Sequence, residues 1–212
     1  DKIYDKDSIE EIRAEYREEN LNLDRRNALL RLAFIPFLEG DYKYVIDILK
    51  EDNKLKRDHS IPKLDYLRKI LLYGLREDEH AIENLIKLES NMKKHNLPQI
   101  DLILNIILGL KFSQKERYYE GINYLLEAQD KLYGLIKNIP HRELQKGFIK
   151  RHSGDTIKRE LIRIVNQVFN KELDCVYIDE LASGDKIEKY FDFRPLINLM
   201  KDEDFIKIIE VS

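Results

Sequence analysis

The 212-residue chain has one cysteine, Cys175, which excludes an internal disulfide framework and every metal site that needs two or more thiolate ligands. Glycine and proline are scarce, at 8 and 5 residues, while hydrophobic residues make up 43% and charged residues 36%. Such a balance fits neither a fibrous nor a disordered chain, and describes a folded one with charge-rich helical surfaces. No apolar run reaches the ~18 residues that a membrane-crossing helix needs, so no membrane span lies within these residues. Formal net charge is only −3, so no global basic field draws the chain to nucleic acid or to anionic lipid. The sequence opens "DKIYDKDSIEE", with neither Met nor an apolar targeting segment. That start reads as trimmed, which leaves an exported or anchored protein open beside a cytoplasmic default.

Catalytic motifs are missing as well. Neither His-Glu-x-x-His nor Gly-x-Ser-x-Gly occurs, and no Gly-rich loop is built to cradle a phosphate. The five His are scattered at 59, 80, 95, 141 and 152. His80 sits among Glu77, Asp78, Glu79 and Glu83, where a solvated corner between helices outweighs a metal site, because no second His stands at ligand spacing. His152-Ser153-Gly154-Asp155 gathers catalytic residue types in sequence, yet helix capping explains them more simply. Cys175 reads as a small buried hydrophobe. No catalytic residue, cofactor or metal is expected, and the chain reads as a binding protein rather than an enzyme.

What is present is a helical pattern. Ser8 and Glu11 have capping-box spacing and open a charged N-terminal helix over 1–24, where nine acids face four bases. In "FLEGDYKYVIDILKE" an apolar run meets Gly40-Asp41-Tyr42 and resumes at once. A β-hairpin would need period-two alternation on both flanks, and instead Val45, Ile46, Leu49 and Leu55 recur at helical spacing. Gly40 is therefore the C-cap of one helix and Asp41 the N-cap of the next. "LDYLRKILLYGLREDEHAIENLIKLESNM" and "DLILNIILGLKFSQKERYYEGINYLLEAQDKL" repeat the arrangement. Superposition aligns Val45-Ile46, Ala81-Ile82 and Gly121-Ile122, followed by Leu49, Leu85 and Leu125, at offsets of 36 and 40 residues. Ser60 before Pro62 and Asn96 before Pro98 read as caps followed by a first-turn proline.

Over about 26–137 the chain resembles the tetratricopeptide-repeat family, whose helical hairpins recur at ~34 residues. The resemblance rests on the Gly40-Asp41-Tyr42 corner, on Val45, Ala81 and Gly121 at close-packing positions, on Leu108-Gly109 with Phe112, and on Ala128. The closing "DFRPLINLMKDEDFIKIIE" is similar to the terminal segment of such proteins. The family implies an all-α solenoid of stacked hairpins: a charged helix at 1–24, three hairpins at 25–140 and a helical cap at 141–212. "DCVYIDEL" and "FIKIIEVS" alternate enough to read as short strands instead.

The resemblance also implies a concave groove lined by first helices, at Asn27, Leu30, Phe34, Lys63, Tyr66, Ile70, Tyr73, Ile103, Ile106 and Leu110. Its expected occupant is another protein, presented as a peptide or an amphipathic helix, with Tyr66 and Tyr73 as anchors. Family members that clamp a terminal carboxylate use basic and Asn side chains there, and Lys63 stands nearly alone. A second expectation comes from charge: Arg142, Lys146, Lys150, Arg151, Lys158, Arg159 and Arg163 outnumber three acids between 141 and 163. From Glu172 onward eleven acids face five bases. The basic run is a candidate docking patch for an acidic partner. It carries too few stacking aromatics for RNA. Two alternatives stay open, a helical enzyme or nuclease-like domain with a polar site near His141–Asp155, and a structural domain whose groove is filled by its own chain.

Overall fold

The computed structural model describes residues 21–55, 61–151 and 154–169. The expectations for residues 1–20, for Ser60 and for the segment after 169, with its two candidate strands and Cys175, lie outside them. Among the described residues the fold is helical and contains no strand. The elements are α1 (21–32), α2 (Phe34–Glu39), α3 (Tyr42–Leu55), α4 (Pro62–Gly74), α5 (Glu79–Met92), α6 (Pro98–Gln114), α7 (Tyr118–Ile136), α8 (Arg142–Arg151) and α9 (Gly154–Phe169). None of these helices is long and apolar enough to cross a membrane. The chain divides into two compact units, Asp1–Leu75 and Arg76–Ser212. The division falls between α4 and α5, inside what the sequence reads as one hairpin.

In the first unit a break at Ala33 separates α1 from α2. Pro36 explains it, because proline has no N–H to offer the Leu32 carbonyl one turn back. The Gly40 corner forms as expected. Gly40 takes a left-handed φ of 80°, its N–H bonds the Phe37 carbonyl, and the Asp41 N–H bonds the Pro36 carbonyl. These two bonds make a Schellman closure. Asp41 then caps α3 by accepting from the Tyr44 N–H at 3.2 Å. The apolar core draws on Leu30, Phe34 and Phe37, on Val45, Ile48 and Leu49, and on Leu64, Leu67, Ile70 and Leu71. Ile46 departs from its aligned partners: Ile82 and Ile122 are buried, whereas Ile46 is 42% exposed.

A buried ionic cluster ties three helices of this unit together. Asp52 on α3 is fully buried, and Arg26 Nε of α1 reaches its Oδ1 at 2.8 Å. Arg68 Nε of α4 lies 3.1 Å from Asp52 Oδ2, and Asp65 sits 3.7 Å from the Arg26 guanidinium. Arg68 also donates to Asn53. A buried carboxylate bracketed by two guanidiniums avoids the cost of an uncompensated interior charge.

In the second unit α6 is the central element, buried around most of its circumference and packed against α5, α7 and α9. Gly109 and Gly121 let α6 and α7 approach closely. A Cβ on Gly121 would stand 3.2 Å from the Gly109 carbonyl oxygen and 3.3 Å from the Ser113 nitrogen. A Cβ on Gly109 would come within 2.6 Å of Leu125 Cγ. The α6–α7 corner closes as the first corner does, with the Glu116 and Arg117 N–H groups bonding the Ser113 and Phe112 carbonyls. Here Glu116, not glycine, holds the left-handed φ of 61°.

Both prolines open their helices as expected, but the caps differ. Leu97 occupies the N-cap of α6 and makes no side-chain cap bond. Asn96 instead adopts a φ of 46°, the left-handed region that Asn tolerates better than most residues. On α5, Asp78 caps through its side chain, accepting from the Ala81 N–H at 2.9 Å.

Candidate interaction surface

The expected groove residues do not share one environment. Leu30, Phe34, Ile70 and Ile106 are buried in the fold, while Asn27, Lys63, Tyr66, Tyr73, Ile103 and Leu110 are half-buried. On α4, Lys63, Tyr66, Ile70 and Tyr73 follow three-to-four spacing and so lie on one helix face. Ile70 forms the floor of that face, with the two half-buried tyrosines beside it. The pattern suits aromatic anchoring, since a tyrosine offers a large apolar ring and a polar tip. Asn27 accepts a hydrogen bond from Arg31 Nε on its own helix.

On α6 the situation differs. Its apolar circumference, which the sequence leaves for either a partner or the chain itself, is covered by helices of the same unit. Ile103 and Leu110 keep partial exposure at its edge.

Much of the basic segment is already engaged. Lys146 pairs with Glu143 at 3.0 Å, and Lys158 is buried. Arg159 Nε donates to the Asp155 carbonyl at 3.3 Å. Arg163 binds Glu160, Gln167 and the Ser113 hydroxyl, and that hydroxyl donates to Glu160 at 2.7 Å. The side chains of Arg142, Lys150 and Arg151 lie outside the described set. Where side chains are described, the segment acts partly as an internal seam between α6 and α9.

Among the described residues His80, His141 and Asp155 are all exposed, and His152 and Ser153 of the expected polar site lie outside them. His80 Nδ1 lies 3.4 Å from Glu83 Oε2 on an open helix surface. Among the described residues no three His, Cys, Asp or Glu side chains are grouped to hold a metal ion. His141 is exposed before α8, and Asp155 is exposed in the first turn of α9.

Two polar sites escape the sequence reading. One is the Asp52 cluster. The other is Lys111, 5% exposed, whose Nζ donates to the Arg76 carbonyl at 2.8 Å. Both have the same signal in hindsight, a charge seated in an apolar stripe: Val45, Ile48, Leu49, Asp52 and Leu104, Ile107, Leu108, Lys111.

Tyr124 of α7 stacks on Phe112, with centroids 5.4 Å apart and planes within 8°, and its hydroxyl donates to Glu89 at 3.4 Å. Arg117 lies over the other ring partner, 4.5 Å from the Phe112 centroid. Burial, reinforced by the Glu89 charge, pushes the Tyr124 phenol up to about 12. The fold thus favours the neutral phenol, and this contribution to stability is present below pH 10.0 and lost as pH rises toward 12. An alkaline titration of tyrosinate absorbance should show a difference between wild type and Tyr124→Phe centred near pH 12. A difference centred at the ordinary tyrosine value of ~10 would mean that the ring is solvated.

Comparison with known proteins adds no relative, since no family model, curated protein or solved structure matches the chain.

Proposed function

We propose that this chain is a protein–protein interaction module that takes a partner's amphipathic helix or peptide on the face of α4 carrying Tyr66 and Tyr73. The observation that carries the reading is the arrangement of that face: two half-buried aromatics two turns apart, above the buried side chain of Ile70. Helix-in-groove recognition relies on such apolar contacts at three-, four- and seven-residue spacing. The similarity of the hairpins to tetratricopeptide repeats supports it, as do the glycine-mediated approach of α6 to α7 and the Gly40 corner. In this reading α1 and α2, α4 and α6 are the first helices of repeat-type hairpins. The basic segment at 142–163 steers an acidic partner by its net positive charge.

A second reading is favoured by one specific observation. Because α6 is covered by its own unit, the chain is alternatively a structural domain whose apolar surface is filled internally. A photo-crosslinking amino acid in place of Tyr73 captures whatever protein lies on this face. Titrating that protein against Tyr66→Ala, Tyr73→Ala then separates a docking face from an internal one.

A further inference from the structure

The corner between α4 and α5 holds a peptide bond of unusual situation. Arg76 is exposed, with half of its side chain in water (51%), and neither Arg76 nor Glu77 belongs to a helix. A basic side chain before an accessible bond is what trypsin-like proteases read. Yet the Arg76 carbonyl oxygen is not free: it accepts from Lys111 Nζ at 2.8 Å, and Lys111 is buried. The Arg76 guanidinium is also held, with Nε 2.9 Å from Asp78 Oδ2, while Asp78 Oδ1 caps α5.

We propose that the Arg76–Glu77 bond is a latched cleavage site, which an Arg-specific serine protease can cut only after Lys111 releases the Arg76 carbonyl. Such a protease attacks the carbonyl carbon and must place the same oxygen among its own oxyanion-hole donors. The oxygen cannot satisfy both sets of donors in the geometry each requires. In the completed reaction water adds across the amide, leaving the carboxylate on Arg76 and the amino group on Glu77. The bond lies one residue past the division between the two compact units, Asp1–Leu75 and Arg76–Ser212. Other charges near the latch are Glu77, Asp78 and Lys115. Burial pushes the Lys111 ammonium below the usual lysine range, opposed by the Glu77 and Asp78 carboxylates. The fold therefore disfavours the charged form overall, and an apolar isostere in its place should not lower global stability.

The test is limited trypsin digestion of the full chain, with fragments identified by mass and thermal melting run alongside. Lys111→Met should melt no lower than wild type, yet be cut after Arg76 about 10-fold faster or more, the size expected when a charged donor is lost. Cutting at other sites should keep its wild-type rate, and Arg76→Gln should remove the new fragment. An unchanged rate at Arg76 in folded Lys111→Met would overturn the latch. If that variant does not fold, wild type decides alone against a free peptide of residues 70–83. Wild type cut after Arg76 as fast as the peptide would overturn the proposal, and strong protection would uphold it.

Discussion

Replacing Asp52 with alanine should cost about 3–5 kcal/mol, the range seen when one partner of a buried ion pair is removed. The reason is what remains. Arg26 and Asp52 are both buried, and Asp52 is the only carboxylate within 3.1 Å of either guanidinium among the described contacts. Without it two positive charges face each other across the junction of α1, α3 and α4, and among the described ion pairs the more distant Asp65 offsets them in part. Asp47→Ala makes the proper control, because its pair with Lys50 is exposed and such pairs contribute roughly 0–1 kcal/mol. Urea unfolding of both variants measures the difference. A loss below about 1 kcal/mol at Asp52 would show that water reaches the cluster in solution and that the three helices do not close over it.

The second large effect belongs to the α6–α7 crossing. Gly121→Leu should destabilise by about 3 kcal/mol, the upper part of the overpacking range, because the added side chain meets backbone atoms of Gly109 and Ser113 that cannot rotate away. Gly109→Ala should also destabilise, but through a clash with the Leu125 side chain. That difference makes a cycle informative: adding Leu125→Ala should restore part of the loss from Gly109→Ala and none from Gly121→Leu. Purely additive losses would mean that the two helices stand further apart than the structure places them.

The corners were largely legible in the sequence, because they depend on local chemistry. Gly40 and Asp41 carry the left-handed turn and the cap within a few residues, and no tertiary contact is needed to read them. The buried positions were legible too: Val45, Ala81 and Gly121 are buried, as are Leu49, Leu85 and Leu125, and at Gly121 the neighbouring helix comes close. Asn96 was misread because Asn serves equally as a cap or as a left-handed residue, and the backbone that decides between them is set by the following Leu97-Pro98. Asp52 and Lys111 are legible only in part: each stands in an apolar stripe, which points to burial. Their partners come from 26 and 35 residues away, and periodicity does not encode those. The same limit applies to α6, whose apolar circumference shows that something covers it without saying what.

The interaction reading is tested most directly by the double variant Tyr66→Ala, Tyr73→Ala, with affinity for the captured partner and melting temperature measured on the same preparation. An interaction face on α4 should lose affinity by several kcal/mol, as when central aromatic anchors are truncated. Stability should fall much less, because both rings are only half-buried. A large drop in melting temperature with unchanged affinity would contradict the account, and would assign the two tyrosines to the interior of a self-filled structural domain.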